Sequence, residues 1–157
     1  MSVSDGAVFH HTCFVVRDIE QTASSLAKSL GVAFALWTIE TTSGQVKGKD
    51  ARVAFRVAIA QVGDASFELL SPVSDDNVYT EHLAAHGDGF HHTCLGYPTL
   101  AALRAARDEL LKQGRTVVQS GAVGDAAEFY YFDMPELRSV LELLYLGELP
   151  PPEKTIG

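Results

Sequence analysis

Apolar and polar residues first organise at Val8–Val16, where β-branched and aromatic side chains predominate and predict a strand. Asp18 then offers an N-cap for a helix running to Leu30, with Leu26 and Leu30 on one face and Gly31 as its stop. Val32–Thr41 alternates weakly and predicts a strand, and Thr42–Asp50 reads as a polar, glycine-containing loop. Arg52–Gln61 alternates clearly and predicts a strand, which Gly63-Asp64 turns into a further strand at Ala65–Leu70. Residues 71–89 read as a connector holding a short helix, capped by Asp75 or Asp76 and running to about His86.

The same order then recurs. A strand at 90–97 leads to a helix from Thr99 to Gln113, whose apolar face is Leu100, Leu103, Leu110 and Leu111. Strands are predicted at Thr116–Ser120, Glu128–Phe132 and Ser139–Leu146, with Asp133-Met134-Pro135 as the turn before the last. Pro150-Pro151-Pro152 begins a tail expected to extend neither helix nor sheet, since proline lacks the backbone donor.

The recurrence is literal at one point. Residues 9–13 read FHHTC, and residues 90–94, 81 positions later, read FHHTC again. A five-residue identity containing two His and one Cys signals duplication. Phe67-Glu68-Leu69-Leu70 and Leu141-Glu142-Leu143-Leu144 close the two halves in the same way. The sequence thus predicts an α+β fold of two βαβββ modules, at 8–72 and 90–146. A 73–89 connector joins them, and tails lie at 1–7 and 147–157.

Composition narrows the function. With 157 residues, 46% hydrophobic and 20% charged, the chain has ordinary globular proportions. Twelve Lys+Arg against 20 Asp+Glu give a formal charge of −8, which repels polyanions and argues against nucleic acid as a partner. No apolar run approaches the roughly 20 residues of a membrane span, and MSVSDGAV lacks the features of a secretory signal. Two cysteines are too few for a disulfide scaffold, so free thiols and a cytoplasmic location are expected.

Strand geometry lets only one of His10 and His11, and one of His91 and His92, face a given side of the sheet. Glu68 and Glu142 sit in apolar strand ends, where an unpaired carboxylate is costly to bury. Two imidazoles and two carboxylates at matching places of related modules offer a divalent ion four ligands, and the ion neutralises both carboxylates. Cys13 and Cys94 lie two residues, roughly 6.6 Å, along the strand and are expected to be buried free thiols. Arg52 and Arg56 could clamp a substrate anion if they face the sheet's concave side, and one of Tyr130 and Tyr131, with Tyr130 the candidate, should face it.

From FHHTCFVVRDIEQT, FELLSP, the second FHHTC and SVLELL, the chain resembles the vicinal oxygen chelate superfamily, which includes glyoxalase I, extradiol dioxygenases and methylmalonyl-CoA epimerase. The resemblance spans about Val8 to Leu146 and is nearest to the epimerase-like branch. It implies paired βαβββ modules forming a cupped mixed sheet around one divalent metal ion, held by His11, Glu68, His92 and Glu142. The donor set suits Zn, Co, Ni, Mn or Fe. The implied activity is isomerase or epimerase chemistry next to a metal-bound carbonyl, with Glu142 as candidate general base and Asp50 as candidate opposite acid. A glyoxalase-type lyase and a drug-sequestering binding protein are the alternatives. The implied substrate carries adjacent oxygens, as acyl-CoA thioesters and hydroxy or keto acids do, and the implied assembly is a homodimer. Gly48-Lys49-Asp50-Ala51-Arg52-Val53 stands where the epimerases have a Pro-Glu-x-Gly segment.

Overall fold

Asp18 caps the first helix: its carboxylate accepts from the Gln21 backbone N–H at 3.0 Å, and Gly31 ends the helix in the left-handed region at φ 68°. In the computed structural model, which describes residues 2–157, this helix, α1, is Ile19–Leu30. Its buried stripe is Ile19, Ala23 and Ala27, while Leu30 is exposed. Of the expected Leu26–Leu30 face, half-buried Leu26 packs at the margin of this core and Leu30 is turned out to solvent. Alanines on the contact line let the helix sit close to Phe34, Leu36 and Leu69. The second long helix, α3 (Leu100–Lys112), is capped by Thr99 and buries Leu103, Ala106 and Leu110, leaving Leu111 exposed. Between them α2 (Val78–His86) is capped by Asn77 in a reciprocal box with Thr80, rather than by Asp75 or Asp76.

The strands are β1 (Val8–Val15), β2 (Phe34–Glu40), β3 (Ser43–Val46), β4 (Lys49–Asp50), β5 (Ala54–Val62) and β6 (Ala65–Pro72), followed by β7 (Gly89–Gly96), β8 (Val117–Val123), β9 (Ala127–Met134), β10 (Ser139–Leu146) and β11 (Lys154–Ile156). They form one sheet in the order β11-β2-β5-β6-β1-β7-β10-β9-β8-β3-β4. Around the antiparallel β1–β7 pair the order is a palindrome, β2-β5-β6-β1 against β7-β10-β9-β8, which is what a pseudo-twofold between two like halves produces. β1 runs parallel to β6, and β7 runs parallel to β10.

Two departures from the sequence reading lie at the sheet's edges. Thr42–Asp50 is not a free loop: β3 and β4 form a hairpin, turned at Lys47 (φ 50°) and Gly48 (φ 79°), that docks on β8. Gly44 permits the docking, since a Cβ there would stand 2.3 Å from the Ser120 carbonyl oxygen. The tail beyond the prolines is also a strand. Glu153 N–H donates to the Leu36 carbonyl at 2.8 Å, and β11 then pairs with β2. Prolines block only their own positions, and the chain regains its donors at Glu153. Each half thus has its edge strand covered by a segment that the other half's sequence neighbours, which protects both from open pairing. Only Thr41 and Thr42 separate β2 from β3, yet these strands stand near opposite ends of the strand order, so the sheet must curl until its ends approach. The result is a cup. α1 and α3 cover its outside, while Phe55, Val57, Leu70, Phe129, Tyr131 and Leu144 face inward with Tyr79 of α2.

Candidate metal centre

Alternation on the two central strands turns His11, Cys13 and Val15 to the inside of the cup, and places His92 and Cys94 with them. Parallel pairing sets the matching carboxylates beside them: Cys13 stands opposite Glu68 and Cys94 opposite Glu142. All four expected ligands are buried, His11 at 1% exposure, Glu68 at 8%, His92 at 0% and Glu142 at 5%. Their donor atoms converge. Nε2 of His11 lies 3.2 Å from Nε2 of His92, 3.4 Å from Glu68 Oε1 and 3.0 Å from Glu142 Oε2, and His92 Nε2 lies 2.9 Å from the same Glu142 oxygen.

These separations fit a divalent ion. Ligands about 2.1 Å from one centre stand about 3.0 Å apart at right angles and about 3.4 Å apart at the tetrahedral angle. Glu142 Oε2 is buried and near two imidazole nitrogens, yet it has no hydrogen bond of proper geometry. Lone pairs aimed at a shared point rather than at one another have this arrangement. Two carboxylates and two imidazoles, all buried, are a hard-to-borderline donor set of the kind that zinc, cobalt, nickel, manganese or ferrous iron accepts. Burial works against charge on His11, but Glu68 and Glu142 outweigh it and lift its pKa to about 9. Burial raises Glu68, whereas for Glu142 burial is overcome by His92 and His11, which hold it well below the usual carboxylate range.

A second layer that sequence reasoning did not find supports these side chains. His10 Nδ1 lies 2.8 Å from His11 Nδ1, and His91 Nδ1 lies 2.8 Å from His92 Nδ1. Burial, followed by the like charge of the neighbouring imidazole, lowers the pKa of His10 and pushes His91 down to about 3, so both are neutral rings. Neutral His10 and His91 can accept Nδ1–H from their neighbours, which turns Nε2 of His11 and His92 toward the centre as the nitrogens that an ion would take. The repeated HH pair was the available signal. Tyr131 packs against His92 at 4.9 Å between ring centroids, and its hydroxyl meets that of Tyr79 at 2.6 Å. Cys13 and Cys94 are free and buried. Burial and the adjacent carboxylates raise both thiols, Cys13 standing opposite Glu68 and Cys94 opposite Glu142. Cys94 also brings its sulfur within 4.8 Å of the ring nitrogens of His10 and His11.

Glu68 and Glu142 line a cavity of about 280 Å³. Phe55, Val57 and Ile59 of β5, Phe129 of β9 and Leu144 of β10 form its walls, and Glu40 and Thr38 of β2 its polar margin. Leu149 and Pro150 of the returning tail complete it, held by a 2.8 Å hydrogen bond from the Trp37 indole N–H to the Pro150 carbonyl. The other expected substrate residues lie elsewhere. Alternation on β5 turns Arg56 outward to Glu20 of α1 at 3.1 Å, and Arg52 is exposed before that strand begins. Tyr130 also faces outward, accepting from Arg107 at 2.8 Å and donating to Glu128 at 2.5 Å, so Tyr131 is the tyrosine in the cavity. Asp50 is exposed on β4, where it accepts from Gln45.

The sequence profile of the Glyoxalase/Bleomycin resistance protein/Dioxygenase superfamily matches residues 10–132, most of the chain. The chain belongs to this superfamily. A search of curated proteins finds no match. Among solved structures, the superfamily fold recurs in a hypothetical protein from Bacillus halodurans, 15% identical with a TM-score of 0.65, covering 92% of this chain and 97% of that one. Methylmalonyl-CoA epimerase from Mycobacterium tuberculosis is 17% identical with a TM-score of 0.65, covering 94% and 92% respectively. A Streptomyces coelicolor methylmalonyl-CoA epimerase variant in complex with 2-nitronate-propionyl-CoA is 18% identical with a TM-score of 0.63, covering 89% and 97%. At these identities the likeness is one of fold. Among the described residues no helix is long and apolar enough to cross a membrane.

Proposed function

We propose that this superfamily member is a metal-dependent isomerase or epimerase that moves a proton at a carbon next to a carbonyl. The observation that carries the reading is the convergence on His11 Nε2 of Glu142 Oε2 at 3.0 Å, His92 Nε2 at 3.2 Å and Glu68 Oε1 at 3.4 Å, at the wall of an internal cavity. These four residues would hold one divalent ion, which when bound supplies Lewis-acid polarisation of two adjacent substrate oxygens. The protein's own groups do the rest. His10 and His91 fix the orientation of the two ring ligands, and the apolar walls exclude water from the reacting carbon. Glu142 faces both the ligand cluster and the cavity, and serves as general base. Glu40, at the cavity margin, replaces Asp50 as the candidate for the opposite acid. The epimerase folds among the structural neighbours support this class over sequestration without chemistry.

Solvent deuterium incorporation, followed by NMR on metal-loaded protein with chiral 2-substituted acyl-CoA thioesters and 2-hydroxy and 2-keto acids, tests the proposal. Exchange next to the carbonyl that is absent in His92→Ala is the expected result. A fully metal-loaded protein that exchanges none of them overturns the isomerase reading in favour of a glyoxalase-type lyase, which uses the same donor set. A homodimer is proposed as well: Val8, Phe9 and Phe90 on the central strands are exposed at 61%, 54% and 44%. Light scattering that returns the 16.9 kDa monomer mass would remove it.

A further inference from the structure

The cavity beside the ligand cluster has a chemical character of its own. Its walls are aliphatic and aromatic, and no Lys, Arg or His of the described residues lines it. The ionisable carboxyl groups in it are Glu40, Glu68 and Glu142. Of the arginines that the sequence offered for a substrate anion, Arg56 is turned away to Glu20 and Arg52 is exposed before β5 begins; Arg104 pairs with Glu128 outside the cavity. A divalent ion would offset Glu68 and Glu142, leaving nothing to offset a further anion. An anionic group seated against Phe55, Val57 and Phe129 would therefore be desolvated without a partner, which is among the costlier arrangements in a protein.

We infer that the substrate carries an uncharged hydrocarbon body, branched aliphatic or aromatic, that fills this cavity while its adjacent oxygens face the ligand cluster. The inference rests on the metal-site reading above and adds the substrate class to it. Size sets a limit. A cavity of about 150 Å³ accepts benzene, so about 280 Å³ takes about eleven non-hydrogen atoms. The body enters past Leu146, Leu149 and Pro150, and Trp37, hydrogen-bonded to Pro150, lies beside that rim. The single tryptophan of the chain is thus a reporter of occupancy.

Two ligands of equal shape and the same chelating head decide the question: 5-methyl-2-oxohexanoate, with an isopropyl end, and 2-oxoglutarate, with a carboxylate in its place. Calorimetry on Zn²⁺-loaded protein should show the first binding on the order of 100-fold tighter. Leu146→Arg, a half-exposed position at the rim, should shrink or reverse the preference. Equal binding, or tighter binding of 2-oxoglutarate to the unaltered protein, overturns the inference. Butylbenzene, which has no chelating group, is added to the metal-free protein and followed by Trp37 fluorescence and ligand-observed NMR. If butylbenzene binds and neither oxo acid does, the metal reading has failed while the apolar cavity stands. If both oxo acids bind alike, the cavity inference has failed while the metal site stands. If neither oxo acid nor butylbenzene binds, both are overturned.

Discussion

The Nε2 atoms of His11 and His92, 81 residues apart in sequence, stand 3.2 Å apart at the seam between the two halves. Nitrogens so placed, with Glu142 Oε2 within 3.0 Å of each, share one ion or one proton. Purified protein is therefore expected to hold one divalent ion per chain. His11→Ala or His92→Ala should lower that affinity by at least about 100-fold, since each removes a direct donor. Metal analysis after dialysis at a fixed free concentration measures it. An unaltered protein without metal, and not stabilised by added Zn²⁺, Co²⁺ or Mn²⁺, would sink the assignment.

The Nδ1 contacts of the same rings predict a separate effect. His91→Phe keeps an aromatic ring at this buried position but removes the acceptor 2.8 Å from His92. It should weaken metal binding by about 10- to 100-fold with the four donors intact. His10→Phe should act in the same way through His11. Competition with a chromophoric chelator reads the affinities, and unchanged values would show that the neighbouring histidines do not orient the ligands.

Tyr79 and Tyr131 share a buried 2.6 Å hydroxyl contact, and burial raises both phenols, so neither ionises near neutral pH. Tyr131→Phe leaves the Tyr79 hydroxyl without this partner and should cost about 1–3 kcal/mol. Tyr79→Phe/Tyr131→Phe removes both ends and should recover part of that loss. Urea denaturation of the two single variants and the double variant closes the cycle; a strictly additive result would mean that the contact contributes nothing.

Glu128 gives a pH dependence away from the metal centre. Arg104, paired with it at 2.8 Å and 3.1 Å, outweighs burial and lowers the carboxyl pKa from its ordinary 4.5. A lowered folded-state pKa contributes stability above the unfolded value, and this is lost as pH falls through the folded one. Glu128→Gln should thus melt below the unaltered protein at pH 7, and the gap should narrow progressively below about pH 4.5. A gap independent of pH would assign the effect to packing.

The tail strand supplies a test of the cup's closure. Ile156 packs on the core under α1, and Ile156→Ala should cost about 1–2 kcal/mol, whereas Leu137→Ala, at a side chain 62% exposed, should be neutral. Because β11 continues the tail that Pro150 anchors to Trp37, the Ile156 variant should also shift the tryptophan emission to the red. An unshifted spectrum with the stability loss would uncouple the strand from the cavity rim.

What the sequence determined by itself is local or repeated. Asp18 and Gly31 mark a helix through capping chemistry that acts within four residues, and FHHTC and the ELL pair repeat, so duplication and the four donor types were legible without coordinates. Which face each side chain takes was legible only where burial forces it: an unpaired Glu68 or Glu142 in an apolar strand needs a partner, while Arg56 or Tyr130 can satisfy itself on either side. Tertiary structure decided the rest because the decisive contacts are long in sequence. β3 forms only because Gly44 lets its backbone meet β8, and β11 only because β2 presents a free edge. The apolar lining of the cavity likewise brings residues of β2, β5, β9, β10 and the tail to one place, and no window along the chain contains them.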